Sequence, residues 1–159
     1  FISVIDGTWG AFIHVGENVI KDGRLGFLNK IILTPSYHRV HHAKNVEYMD
    51  TNFCNLLNIW DKVFGTFQPE KKELPVEYGI TRKINPRNFW DVYFGEIYYL
   101  AKDVYHSPGL KNKFFSIIMP PGWNHTGEHK TAKAAKKKLK EDQIHIHINQ
   151  NVSSSASVE

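Results

Sequence analysis

The segment Thr34-Pro35-Ser36-Tyr37-His38-Arg39-Val40-His41-His42 decides how this chain is read, because it places three imidazoles within five residues. Threonine followed by proline is a helix start: the hydroxyl can cap free amides, and proline at the first helical position has no amide to leave unpaired. A helix running from Pro35 to about Lys44 puts His38 beside both His41 and His42, three and four residues further on. Three rings then converge on one side. Neutral imidazole binds iron, zinc, copper and nickel alike, so the spacing points to a metal without choosing which. The zinc-protease arrangement HExxH, with its glutamate base, is absent. A mononuclear zinc hydrolase stays open, with these histidines as ligands and Glu47 or Asp50 as the base. The plainest alternative is that the rings decorate the surface.

Outward from this segment, the apolar residues Ile2, Ile5, Trp9, Phe12, Ile13 and Ile20 come mostly at three- and four-residue steps, which predicts a helix from Phe1 to Ile20 with His14 and Glu17 near its end. Residues 21–26 read as a loop, and 27–33 as a short apolar stretch. Downstream, 45–55 is polar and turn-prone. Leu56, Leu57, Ile59, Trp60, Val63 and Phe64 then have helical spacing, closed by Gly65 as a C-terminal cap. A charged, proline-punctuated connection covers 68–88. Helical steps return in the aromatic stretch from Phe89 to Tyr105, and Phe114–Met119 is a further apolar patch. Residues 131–142 form an Ala/Lys helix, and the Ser-rich end from Asn149 reads as disordered. The fold class is therefore all-α. The expected divisions are a histidine-bearing part over 1–88, a helical extension with a basic segment over 89–142, and a disordered tail over 143–159.

Composition narrows the functions. Of 159 residues, 42% are hydrophobic and 23% charged, as in an ordinary folded domain and unlike a disordered tail. The single cysteine, Cys54, can form no intrachain disulfide and no cysteine metal cluster, so any metal must be held by histidine or carboxylate. Residues 130–142 hold six lysines against two acids, and the rest of the chain balances at 14 of each, so the whole net charge of +4 lies in one segment. A nucleic-acid footprint spread over the fold is excluded on that ground, and no aromatics interleave with these lysines. Attraction to anionic lipid on a cytoplasmic face is the sharper reading of the lysines, a solvated helix the plainer one. No run reaches the ~18 apolar residues of a spanning helix, because Asp6, Gly7, His14 and Glu17 interrupt the first stretch. The chain opens at Phe1 directly into an apolar segment, which is expected of a chain lacking an N-terminal part.

A resemblance sharpens the metal reading. The segment Thr34–Asn45, then Tyr48, Asp50, Asn52-Phe53, then Leu57-Asn58-Ile59-Trp60-Asp61-Lys62-Val63-Phe64-Gly65-Thr66-Phe67, closely resembles the last histidine box and following segment of the sterol desaturase / fatty acid hydroxylase superfamily. Within it, the alkylglycerol monooxygenase-like branch is the most similar, and the match covers about residues 9–85. HRVHH followed by N, Y.D.N and WD..FGTF is far more specific than HxxHH alone.

The resemblance implies the helical C-terminal portion of a membrane-bound enzyme with a non-haem di-iron centre, which uses O2 to hydroxylate or desaturate a lipid C–H bond. His38, His41 and His42 are then iron ligands. His14, 24 residues before His38, resembles an intermediate histidine of that family and is a further candidate; a buried, hydrogen-bonded histidine is its structural alternative. The earlier histidine boxes and most membrane helices are not matched, so the chain by itself would not assemble the whole centre. The partners implied are a lipid, O2, the membrane and a separate electron donor, since no dinucleotide-binding glycine motif is present. The compartment would be the endoplasmic reticulum in a eukaryote or the inner membrane in a bacterium, with the site facing the cytoplasm. An inactive lipid-binding module that keeps one box by descent is the remaining alternative.

Each ligating imidazole should donate its other N–H to an acceptor, and Asp50 and Asp61, with Asn45 and Asn52, are candidates for that role. Asp61 could instead pair with Arg39 or Lys62, and Asn45 could simply end the histidine helix. Trp60, Phe64, Phe67 and the aromatics of 89–105 are expected to pack in a core or at a membrane interface. His125, Glu128 and His129 read as a structured turn, and His145 and His147 alternate as on a strand.

Overall fold

The computed structural model describes residues 1–20 and 25–156, with side chains up to Gln150. The loop expected over 21–26 thus lies largely outside the described residues, as do the last three residues of the expected tail. Among the described residues there are six helices: α1 (Ile2–Ile13), α2 (Pro35–His41), α3 (Ile59–Phe64), α4 (Phe89–His106), α5 (Gly109–Ile118) and α6 (Ala132–Ala156). Short 3-10 turns cover Gly26–Lys30 and Val46–Tyr48. Among the described residues β-pairing is confined to two isolated antiparallel bridges, Ile32 with Leu57 and Ala43 with Tyr78. The chain divides into two compact units, Phe1–Thr81 and Arg82–Glu159.

In the first unit α1 packs on α2. Both helices are short, and α2 ends one turn earlier than its spacing predicts, with His42 as its cap. Proline occupies its first turn as expected, but Thr34 makes no side-chain cap, and its hydroxyl is buried without a hydrogen-bond partner. Helix formation here rests on burial: Pro35, Ser36, Arg39 and Val40 face inward. Val40 and Ala43 meet Tyr48, Leu74 and Val76 in a small core.

That core is too small to fix the chain from 45 to 78, and buried polar side chains supply the rest. Asp61 is 2% exposed and accepts from the Phe53 amide at 2.9 Å, the Cys54 amide at 3.1 Å and the Thr66 hydroxyl at 2.6 Å. Desolvation pushes its carboxyl upward, but these bonds and that from the Cys54 thiol outweigh it and hold the group below the ordinary carboxylate range. Asn52, in a left-handed conformation at φ 52°, donates to the Tyr37 and Gln68 carbonyls at 3.0 and 2.7 Å and accepts from the Gln68 amide at 2.9 Å. Asn58 bridges the Asn29 and Ile32 carbonyls at 2.7 and 2.9 Å, and the Tyr48 hydroxyl joins Lys71 N to Leu74 O. Gly65 closes α3 at φ 72°, as its position predicts.

In the second unit α4 packs on α5, and the Ser107 and Ser116 hydroxyls meet at 2.8 Å between them. Asn88 caps α4 by accepting from the Trp90 and Asp91 amides. The loop from α5 to α6 is tightly bonded: Lys130 N reaches Gly122 O at 2.7 Å, and Asn124 N reaches His129 Nδ1 at 3.1 Å. Gly122 is needed there, since its φ is 84° and a Cβ would lie 2.5 Å from Lys130 O. Where the sequence predicts an irregular tail from residue 143, the structure instead carries α6 through Ala156. The reason lies in its composition: no Gly or Pro falls between Ala132 and Ala156, so nothing ends the helix that Thr131 starts by accepting the Ala134 amide. His145 and His147 accordingly sit on a helix and point to different sides.

Candidate metal centre

The last turn of α1 and the body of α2 bring three histidines together. His38 Nε2 lies 3.0 Å from His14 Nε2 and 3.0 Å from His42 Nε2, and His42 Nε2 lies 3.3 Å from His14 Nε2. His38 and His42 share a face because they are one turn apart; His14 reaches them because α1 ends against α2.

The tautomers follow from the acceptors. His14 Nδ1 faces Gly10 O at 2.6 Å, and a carbonyl only accepts, so Nδ1 carries the proton and Nε2 offers a lone pair to the cluster. His38 is pushed down to about 4, by desolvation first and then by the His14, His42 and His41 imidazoles; His42 is lowered in the same way. Both rings are therefore neutral near pH 7, the form that binds a metal.

Protons alone cannot satisfy such a triangle. Each nitrogen is either an N–H or a lone pair, so among three mutual neighbours at least one pair must be alike and repel. A cation meets three lone pairs without conflict. Nitrogens at these separations stand about 1.8 Å from their common centre, within the ~2.0–2.1 Å reach of a metal–imidazole bond. The donor set thus fits one ion with three nitrogen ligands, and these three side chains are the group able to hold one among the described residues.

His41 stands beside this triad rather than in it. Its Nδ1 donates to Thr51 O at 3.0 Å, its ring stacks 5.6 Å from that of His38, and it lies 5.3 Å from that of His42. Its Nε2 is left as a lone pair. His14, which the sequence leaves as a further candidate, is in the triad, and His41, placed with the first three, is next to it.

The side chains expected to orient the imidazoles are engaged elsewhere. Asp61 and Asn52 hold the chain as described; Asn45 donates to Pro75 O at 3.1 Å and accepts from the Glu77 amide at 2.8 Å. Asp50 is exposed, at φ 50°. Arg39, expected as a partner for Asp61, pairs with Glu70 at 2.7 Å. Backbone carbonyls accept the ring N–H groups of two histidines, Gly10 O from His14 and Thr51 O from His41, whereas His38 Nδ1 is buried without a hydrogen-bond partner. The first was findable, since a histidine at a helix end reaches the carbonyl four residues back; nothing in the sequence marks the second. The His125, Glu128 and His129 segment is the bonded loop before α6, and does not bring three ligand atoms together.

The three histidines lie inside a segment that matches known proteins. Residues 1–66 match the model of the fatty acid hydroxylase family. The chain is 42% identical over 99 residues to alkylglycerol monooxygenase of Homo sapiens, covering 62% of this chain and 22% of that protein. It is 42% identical over 112 residues to the Danio rerio alkylglycerol monooxygenase, covering 70% and 24%. To ornithine lipid hydroxylase OlsE of Rhizobium tropici it is 38% identical over 77 residues, covering 48% and 23%. The chain spans about a fifth to a quarter of the length of these curated relatives. No solved structure matches. Among the described residues no helix is long and apolar enough to cross a membrane. The triad carried by α1 and α2 lies inside the segment that matches the fatty acid hydroxylase family, and the chain is similar there to the alkylglycerol monooxygenases.

Proposed function

We propose that this chain contributes part of the metal centre of an O2-dependent lipid hydroxylase with a non-haem di-iron site. The observation that carries the reading is the triangle of Nε2 atoms of His14, His38 and His42, each 3.0–3.3 Å from the others. Iron bound there would supply the dioxygen activation and one-electron chemistry that no side chain provides. The protein's own part is to hold neutral imidazoles in place: Gly10 O fixes the tautomer of His14, and desolvation keeps His38 and His42 uncharged. His41, with its proton committed to Thr51 O and its Nε2 free beside the triad, is assigned to the second iron.

Relatives named as a monooxygenase and a hydroxylase favour hydroxylation over desaturation, and both printed names specify lipids: an alkylglycerol and an ornithine lipid. The substrate proposed is accordingly an alkyl-chain lipid. Hydroxylation by O2 consumes two external electrons as the second oxygen leaves as water, so a separate electron donor is part of the reading. We place the complete enzyme in a membrane, the endoplasmic reticulum in a eukaryote or the inner membrane in a bacterium, with the site at the cytoplasmic face.

The test is metal analysis of the full-length protein purified anaerobically, beside His38→Ala and His41→Ala variants, with O2 uptake on alkylglycerol and ornithine lipids. Two irons per chain, falling toward one in His38→Ala and in His41→Ala, with lipid-dependent O2 uptake lost in both, are expected. One zinc per chain with hydrolytic turnover would replace this reading with a hydrolase. No bound metal in any form would leave an inactive module.

A further inference from the structure

We infer that the face of α6 bearing Lys133, Lys137 and Lys140, continued by Ile144 and Ile148, docks on the surface of an anionic phospholipid bilayer. The sequence alone leaves this lysine run undivided; the helix sorts it. Residues 133, 137, 140, 144 and 148 follow one another at three- and four-residue steps within Ala132–Ala156, so they share one face, while Asp142 falls on the opposite side. All three lysines are exposed, and the segment holding them carries the whole net charge of the chain. Lys137 meets Glu141 at 3.8 Å, with side chains 79% and 57% exposed, an i,i+4 pair weak enough to yield to a lipid phosphate.

The isoleucines select the partner. Ile144 is 58% exposed and Ile148 52%, directly beyond the last lysine on the same face. Cations at one end of a helical stripe and branched apolar side chains at the other suit a bilayer boundary, where lysine stems lie along the surface with their heads at the phosphates and isoleucines enter the acyl region. A nucleic acid would satisfy the lysines but would leave Ile144 and Ile148 against water or phosphate, and no Phe, Tyr, Trp or Arg lies between residues 130 and 150 to stack on bases.

Flotation of the whole 159-residue chain with phosphatidylcholine vesicles, and with the same vesicles containing phosphatidylserine, tests the assignment. Phosphatidylserine is expected to tighten binding, and high salt to remove that gain. A triple Lys133→Gln, Lys137→Gln, Lys140→Gln variant should lose on the order of 100-fold of the phosphatidylserine-dependent affinity, since each lysine near such a surface contributes about 1 kcal/mol. Glutamine preserves helix propensity, and the salt titration of the unchanged chain reads the same quantity without a variant. A double Ile144→Ser, Ile148→Ser variant should weaken binding to both vesicles and leave the salt dependence intact. Equal binding to neutral and anionic vesicles, a triple variant that keeps the phosphatidylserine gain, or duplex DNA competing as well as the vesicles do would each overturn the proposal.

Discussion

The two units solve the same problem, holding short stretches of chain in place, by opposite means. In Phe1–Thr81 the helices are brief, and the connections between them are tied down by buried side chains that bond backbone: Asp61, Asn52, Asn58 and Tyr48. In Arg82–Glu159 the helices run to 18, 10 and 25 residues and satisfy most of their own backbone. The difference teaches where placement matters. Three imidazole nitrogens meet within 3.3 Å only if α1 and α2 cannot drift, and directed hydrogen bonds restrict drift better than a small apolar core. A helix whose role is to present a face needs only its own backbone bonds.

The comparison breaks first at Asp61. Asp61→Ala orphans two amides and a hydroxyl that are now bonded to one carboxylate, and should destabilise the first unit by about 3 kcal/mol or more, read by urea unfolding. An unchanged midpoint would mean that the buried bonds do not carry the unit. The same group sets a pH signature. Its folded pKa is depressed, so its stabilisation is complete above the ordinary carboxylate value and is lost as pH falls through the folded one; Asp61→Asn should flatten that acid limb.

The second unit also has places that resemble the first, among them the Arg82–Asp91 pair, whose carboxylate accepts the Asn85 amide, and the loop closed at Gly122. Gly122→Ala forces a side chain into a left-handed φ and against Lys130 O, for an expected loss of about 2 kcal/mol in the same assay. Tyr48→Phe sharpens the description of the first unit, since it keeps the ring in the core and removes only the hydroxyl between Lys71 N and Leu74 O. About 1 kcal/mol is expected, and a loss as large as that of Asp61→Ala would shift the weight from hydrogen bonding to packing. The smallest effect belongs to α6: Gln143→Ala, exposed and mid-helix, should stay within ~0.5 kcal/mol by thermal melting monitored through helicity.

Helix positions were partly legible because apolar spacing, Pro35 and Gly65 are local signals: α2, α3 and α4 fall where they point, α1 stops at Ile13 short of the spacing that reaches Ile20, and α5 shows in the sequence only as an apolar patch. The miss at α6 came from reading Ser and Asn as disorder when no residue there interrupts a helix already begun. For the site, HRVHH and its family resemblance made a metal readable from the chain alone, and His38 and His42 sit as a one-turn spacing requires.

By itself the sequence determined the helical class, a family resemblance over about residues 9–85 and the presence of clustered imidazoles, because each is written in neighbours close along the chain. Only the tertiary structure decided that His14 completes the triad while His41 turns to Thr51 O, and that Asp61, Asn52 and Asn45 brace the chain and do not touch a ring. Those outcomes depend on how α1 lies against α2 and where a carbonyl ten residues from His41 comes to rest, and separations of that kind leave no local pattern to read.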